Sequence, residues 1–308
     1  MKKLSIMEVC PRDGWQNISK FIPIEQKLDF IREMLDAGII NMQVGSFVHP
    51  KVVPQMSDTG KIALIIMKEY PDVKFDALIP NFKGATLAND AGLKSVSYVI
   101  SISESHNKAN IGRTHEQSFH ELGSIIEAYP DLKVTISLAT AFGCPFEGSV
   151  ELKTVLDFVE KGLSFGLDSV ELADTIGIGN PKQVALVFSE VKKRYPNILL
   201  LAHMHDTRNN GVINSWTAAE NGADIVHTSL GGLGGCPFAP GASGNTSTED
   251  LVWLLNKSGI NTGIDFNSIK IAAKKMHSII SGNYSGHQIN IKDDTNKNNC
   301  HENTLEKK

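Results

Sequence analysis

Short apolar, β-branched runs alternate with longer amphipathic segments eight times along this 308-residue chain, and no other feature restricts its fold as strongly. The runs fall near Leu4–Val9, Ile40–Val44, Lys74–Leu78, Ser95–Ile100, Lys133–Leu138, Asp168–Leu172, Ile198–His203 and Asp224–Ser229. A helical pattern follows each, for example Ile24–Asp36 after the first, Val150–Phe165 after the fifth and Pro181–Arg194 after the sixth. Pro181 suits a first helical turn, because the N–H it lacks is one that a helix leaves unpaired there. Runs such as "NILLLAH" and "ADIVHTS" are apolar throughout. That is how strands covered on both faces read, so the sheet is expected to be parallel. An open doubly wound sheet would share the alternation. Eight units, with no G-x-G-x-x-G after the first strand, favour an α/β fold of the closed (β/α)8 TIM-barrel type.

After the eighth unit, Thr248–Asn256 and Ser268–Ser281 read as additional C-terminal helices that pack across the barrel. Residues 1–282 are thus expected to form one barrel domain. Residues 283–308, with "NIKDDTNKNNCHENTLEKK", are too poor in apolar side chains to offset the entropy of ordering, and are expected to be a disordered polar tail.

Hydrophobic residues make up 41% of the chain and charged residues 21%, enough apolar material for a large core. A formal net charge of -4 supplies no basic field for a phosphate backbone, so nucleic acid is excluded as an expected partner. The four cysteines, Cys10, Cys144, Cys236 and Cys300, form no Cys-x-x-Cys pair, which argues against a zinc ribbon or a disulfide scaffold and fits a reducing compartment. No apolar run approaches the ~20 residues of a membrane span, and Met1–Lys3 lead straight into a strand-like run without a signal core. The expectation is a cytoplasmic protein with no membrane partner.

Barrel enzymes of this kind build their sites at the C-terminal ends of the strands, and three polar clusters fall there. The first, Cys10–Asn17, follows strand one; Asp13 is a hard oxygen ligand, and Arg12 can hold a developing enolate or thioester oxygen. Taken alone, an Arg-Asp pair is more often a loop salt bridge. The second is His203-Met204-His205-Asp206 at the end of strand seven. Residues i and i+2 of a strand share a face, so His203 and His205 present two imidazoles to one side, as metal ligands or as structural histidines. The third, Leu230–Asn245, follows strand eight and is rich in glycine, which permits close backbone approach to a ligand and a loop folded over the barrel mouth. Within it Cys236 is a candidate proton donor or an inert packed thiol, and Asn245 can offer a carbonyl oxygen to a metal. Asp13, His203, His205 and Asn245 all fall where strands one, seven and eight converge. Two nitrogen and two oxygen ligands with room for substrate describe Mg²⁺ or Mn²⁺ better than a structural zinc.

From Ile6 to about Gly263 the chain resembles the 3-hydroxy-3-methylglutaryl-CoA lyases, carried by "EVCPRDGWQN", "SFVHPKVVPQMSD", "GCPFEG", "ELADTIGIGNP", "HMHDT" and "GGLGGCPFAPGASGNTSTEDLV". The last is close to the signature of the lyases, and the related condensing synthases generally lack its cysteine. The resemblance implies cleavage of a 3-hydroxyacyl-CoA with help from a divalent Lewis acid that lowers the pKa of the 3-hydroxyl, with departure of an acetyl-CoA enolate. It implies Asp13, His203, His205 and Asn245 as metal ligands, Arg12 as the donor to the enolate oxygen and Cys236 as the acid that returns a proton to carbon. Gln16, Ser46, Ser103, Asp174 and Glu249, with Arg12, are implied as supporting, substrate-binding polar residues. A homodimer is the assembly that barrels of this type lead one to expect.

Three departures qualify the resemblance. Gln43 stands where the family pattern places a catalytic glutamate, and an amide cannot accept a proton; either water and Cys236 relay it or the substrate differs. Arg208 replaces an aromatic residue after the histidines, free to pair with an additional anionic group or to be solvated, and Asn210 replaces a small one. Cys10 replaces a glycine and narrows the first loop. The expected activity is cleavage of 3-hydroxy-3-methylglutaryl-CoA or a relative such as citramalyl-CoA. Condensation in the reverse sense, and metal and acyl-CoA binding without turnover, are the alternatives.

Overall fold

The computed structural model describes residues 4–235 and 244–292. Eight strands, β1 (Ser5–Glu8), β2 (Asn41–Ser46), β3 (Lys74–Ile79), β4 (Ser95–Ser101), β5 (Lys133–Ala139), β6 (Ser169–Asp174), β7 (Leu199–Met204) and β8 (Ile225–Thr228), close in sequence order into a barrel, all neighbours parallel. The helices among the described residues are α1 (Ile24–Asp36), α2 (Thr59–Glu69), α3 (Phe82–Asp90), α4 (Glu104–Ile111), α5 (His115–Ala128), α6 (Leu152–Leu163), α7 (Pro181–Arg194), α8 (Gly211–Glu220), α9 (Thr248–Lys257) and α10 (Phe266–Ile279). The expected TIM barrel with C-terminal helices is the observed fold. None of these helices is long and apolar enough to cross a membrane.

Local chemistry sets the boundaries. Asn180 caps α7 by accepting the Gln183 N–H at 3.1 Å, and Pro181 occupies the first turn. Thr114 and Gln117 form a reciprocal capping box at α5. The last helix begins two residues earlier than its apolar pattern suggests, because Asp265 accepts the Ser268 N–H at 2.7 Å and fixes the start. β2 runs past Val44 through a register shift between Gln43 and Ser46. Gly45 sits within it at φ 158°, where a Cβ would run into the Thr59 side chain, so only glycine fits.

The main core lies between strands and helices, with residues such as Val44, Ala77, Ile136, Leu172, Leu200 and Val226 fully or almost fully buried. A separate buried cluster of Met7, Val9, Leu201 and Ile225 belongs to β1, β7 and β8. Leu201 and His203 on β7, with His205 just past its end, follow the two-residue period, so an apolar layer gives way to polar groups toward the C-terminal end. The seam between β1 and β8 is tied by Glu8, whose carboxylate accepts the Cys10 and Leu230 N–H groups at 2.8 and 3.0 Å and the Thr248 hydroxyl at 2.7 Å. Burial nonetheless raises the Glu8 pKa to about 7.

The tail expected from residue 283 is corrected for its first ten positions. Tyr284 bridges to Leu233 and donates its hydroxyl to Ile280 O at 2.8 Å; Ser285 donates to Asn245 O at 2.7 Å; the His287 and Gln288 N–H groups bond the Asp250 carboxylate at 2.7 and 2.8 Å. Specific hydrogen bonds and the packing of Tyr284 and Ile289 on the core anchor the segment, contacts that its polar composition did not reveal. Positions 293–308 lie outside the described residues.

Candidate active site

At the end of β1 the chain makes a five-residue π-helical turn, Cys10–Gly14, with the Trp15 N–H reaching Cys10 O at 3.0 Å. The wide turn delivers two adjacent side chains to the barrel mouth. Arg12 donates through Nη1 to Asp13 Oδ1 at 2.6 Å and through Nε to Gln43 Oε1 at 2.5 Å, and Gln16 Nε2 donates to the same Asp13 Oδ1 at 2.5 Å. One carboxylate oxygen is therefore saturated. The other, Oδ2, is buried without a hydrogen-bond partner and stands 3.6 Å from Nε2 of both His203 and His205. Those two nitrogens are 3.0 Å apart.

Three ligand atoms at such separations suit adjacent corners of an octahedral cation, which lie roughly 3 Å apart when each bond is near 2.1 Å. The electrostatics agree with the geometry. Burial works to raise the Asp13 pKa, yet the Arg12 charge and the nearby His203 and His205 imidazoles outweigh it and hold the carboxyl well below its usual range. Burial pushes His203 down to about 4 against the pull of Asp13 and Glu171, leaving a neutral imidazole. Asn245 is brought beside this group by an antiparallel bridge to His205. Its Nδ2 donates to Leu233 O at 3.2 Å while its Oδ1 is buried and unpartnered. Orphaned acceptors on Asp13 and Asn245 are what a cation would satisfy, so the residues present fit a divalent metal.

Behind His203 lies a second buried layer. Its Nδ1 is 3.1 Å from His227 Nδ1, and Glu171 reaches within 3.7 Å of His203 and 3.8 Å of His227. The rings are ladder neighbours, His203 on β7 opposite His227 on β8. Across the barrel, Gln43 is the ladder neighbour of Asp76, and Asp76 accepts from Ser97 Oγ at 3.0 Å and Ser95 Oγ at 3.2 Å. The sequence reading missed Glu171, His227 and Asp76. The signal was present: each is an ionisable residue inside an otherwise apolar strand, "SVELAD", "IVHT" and "KFDALI".

A cavity of about 500 Å³ opens over these groups, lined by Arg12, Asp13, Gln16, Glu171, His203 and His205, with Val48, Val52 and Ile111 toward the rim. A more open depression of about 720 Å³ on the outer helices, beside Phe82, Arg113 and Glu121, holds none of them. Among the expected substrate-binding residues, Arg12 and Gln16 line the cavity. Ser46, Ser103, Asp174 and Glu249 do not line it. Ser103 caps α4 through the His106 N–H at 3.1 Å, and Asp174 accepts the Ile178 and Gly179 N–H groups at 3.0 and 2.9 Å, fixing the loop after β6. Glu249 accepts the Gly231 N–H at 2.9 Å from the first turn of α9, and Ser46 is buried beyond the irregularity in β2. Arg208 is exposed, and its Nη1 donates to Ile176 O and Gly177 O at 2.9 and 3.3 Å. Gly235 lines the cavity, but Cys236, the expected proton donor, lies outside the described residues.

Comparison with known proteins places this geometry in context. A protein-family model described as HMGL-like matches residues 3–276. The hydroxymethylglutaryl-CoA lyase YngG of Bacillus subtilis is 38% identical over 275 residues, covering 89% of this chain and 92% of its own length. The (R)-citramalyl-CoA lyase of Chloroflexus aurantiacus is 36% identical over 284 residues, covering 89% and 90%. Among solved structures, an HMG-CoA lyase from Acinetobacter baumannii in complex with coenzyme A and 3-methylmalate superposes with a TM-score of 0.89 at 36% identity, covering 95% of this chain and 96% of that one.

Proposed function

Because the chain belongs to the HMGL-like family, we propose that it is a divalent-metal-dependent carbon–carbon lyase that cleaves 3-hydroxy-3-methylglutaryl-CoA, or a closely related tertiary 3-hydroxyacyl-CoA, to acetyl-CoA and a keto acid. The observation that carries this reading is the convergence of Asp13, His203 and His205 beside Arg12 at the floor of one cavity.

Asp13, His203, His205 and Asn245 would hold the cation, with Mg²⁺ or Mn²⁺ preferred for a mixed nitrogen and oxygen set with room for substrate. When bound, that ion supplies Lewis-acid polarisation of the substrate hydroxyl. The protein's own residues do the rest. Gln16 and Arg12 hold Asp13 by one oxygen, so the carboxylate keeps a single orientation. Arg12 donates to the thioester oxygen as negative charge gathers there during bond cleavage, a role in which one donor is commonly worth about 2.7–4 kcal/mol. Because the Gln43 amide cannot take the 3-hydroxyl proton, water carries it away as the bond breaks, and Cys236 returns a proton to the enolate carbon. Val48, Val52 and Ile111 add apolar surface to the lining of the cavity.

Free buried Cys10 and Cys144 suit a reducing, cytoplasmic setting. Trp253, Ile271 and Ile279 leave apolar surface on α9 and α10 for a second copy, the homodimer expected above.

The test is product analysis. Purified protein with Mg²⁺ or Mn²⁺ is offered 3-hydroxy-3-methylglutaryl-CoA, citramalyl-CoA and other tertiary 3-hydroxyacyl-CoA compounds, and release of acetyl-CoA with the matching keto acid is the expected result. Absence of turnover on every member would defeat the proposal.

A further inference from the structure

Gln43 sits between two opposite charges in the barrel interior. Its Oε1 accepts from Arg12 Nε at 2.5 Å, and its Nε2 donates to Asp76 Oδ1 at 2.7 Å and to Ser97 Oγ at 3.2 Å. Only one orientation of the amide satisfies both partners. Flipped, it would turn its NH₂ toward a guanidinium, which has no acceptor, and its carbonyl toward a carboxylate, which has no donor. Gln43 is fully buried and Asp76 nearly so, leaving little water to compensate a wrong choice. Asp76 is itself held from one face of β4, by the Ser97 hydroxyl at Oδ1 and the Ser95 hydroxyl at Oδ2.

We propose that Asp76 is a positioning residue for Arg12: a buried carboxylate one strand removed from the reacting groups, which acts through the Gln43 amide to hold the guanidinium in the cavity. The inference rests on the role given to Arg12 above. Its chemical sense lies in the interposed amide. Asp76 fixes the amide Nε2, and the amide Oε1 in turn fixes the Arg12 Nε–H, so the hold on the guanidinium is passed through one side chain. Burial raises the Asp76 pKa to about 6 against hydrogen bonds from Gln43, Ser97 and Ser95, so the group is ionised at neutral pH and the arrangement carries one net negative charge behind Arg12.

A swap of the two side chains tests the assignment. In Asp76→Asn the charged acceptor of the Gln43 Nε2 is lost and the amide is held from the Arg12 side alone, and in Gln43→Glu two carboxylates crowd one buried site. The double variant Gln43→Glu with Asp76→Asn restores a single negative charge and a complete hydrogen-bond chain. Each single change is expected to lower kcat roughly 100-fold with KM nearly unchanged, as for an Arg12 displaced by about 1 Å, and the double variant is expected to recover most of the loss. In parallel, the Arg12 Nε–H resonance, identified by its disappearance in Arg12→Lys, is followed in ¹H–¹⁵N spectra without substrate. It should shift in Asp76→Asn and return in the double variant. Losses that simply multiply in the double variant overturn the proposal, as does an Nε–H signal untouched by Asp76→Asn. Should the unaltered protein turn over no acyl-CoA, the proposed function fails, and the resonance alone decides whether Asp76 positions Arg12. Asp76→Ser replaces the asparagine variant if that one does not fold.

Discussion

The Nδ1 atoms of His203 and His227 stand 3.1 Å apart, so one shared proton must serve both rings, and His203 is left with Nε2 turned to Asp13 and His205. An imidazole that offers one nitrogen to a cation is oriented by whatever holds the other, and here that partner is a histidine backed by Glu171 rather than a lone carboxylate. Replacing His227 with alanine should weaken Mn²⁺ binding by about 10–100-fold, the range typical of such outer contacts. Isothermal titration calorimetry gives the answer, and an unchanged affinity would mean that the His203 ring is held by its strand alone.

The metal-facing residues themselves should behave more severely and in a definite order. Asp13→Ala and His205→Ala remove a charged or strongly donating ligand, and each should exceed the roughly 100-fold loss that marks the outer layer. Asn245→Ala removes only a neutral carbonyl and should cost less. Free Mn²⁺ measured by electron paramagnetic resonance ranks the three. If Asn245→Ala proved the worst, the ligand set would need redrawing.

Arg12 is expected to act on the rate rather than on substrate affinity. Arg12→Gln should lower kcat by about 10²–10³-fold, the usual consequence of losing one donor to a developing oxyanion. Arg12→Lys should not rescue it, because a lysine cannot contact Gln43 and Asp13 through a rigid fork. Steady-state kinetics on the preferred acyl-CoA test both statements. A variant with raised KM and unaltered kcat would mark Arg12 as a ground-state contact.

Stability should fall as pH rises, through a residue outside the cavity. Burial, aided by the neighbouring Asp250 charge, raises the Glu249 pKa from 4.5 to about 8. Between those values the folded chain keeps a proton that the unfolded chain has released. Stability therefore declines across this window, by up to ~1.4 kcal/mol per pH unit for one such group, and levels off above it. Glu249→Gln cannot ionise and keeps an acceptor for the Gly231 N–H. Urea unfolding between pH 5 and 8 should show a flatter decline in the variant than in the wild type, with Glu8 still contributing a slope of the same sign. Identical slopes would show that Glu249 titrates as an ordinary carboxylate.

Much of this was legible in the linear chain. Eight apolar runs, each followed by an amphipathic stretch, left a closed parallel barrel as the economical solution, because a strand covered on both faces needs helices outside and other strands beside it. Asp13, His203 and His205 could be picked out for the same reason, since the ends of barrel strands face one mouth and a two-residue period puts both imidazoles on one side. Their approach to within 3.6 Å followed from closure of β1 on β8.

Other features depended on which groups meet when the barrel closes. Asp174 and Glu249 each accept a loop N–H, of Gly179 and of Gly231, a pairing made by backbone geometry that no motif encodes. Asp76, Glu171 and His227 each interrupt an apolar run, and in isolation such an interruption says only that a polar side chain must find a partner. The pairing of Gln43 with Asp76 across one ladder, and of His203 with His227 across another, needed strand register to appear. Sequence alone thus determined the period of the fold and the mouth at which its reactive groups gather. The tertiary structure decided the partners, because hydrogen bonds reach only about 3 Å and residues dozens of positions apart come that close only once the sheet has joined its own edge.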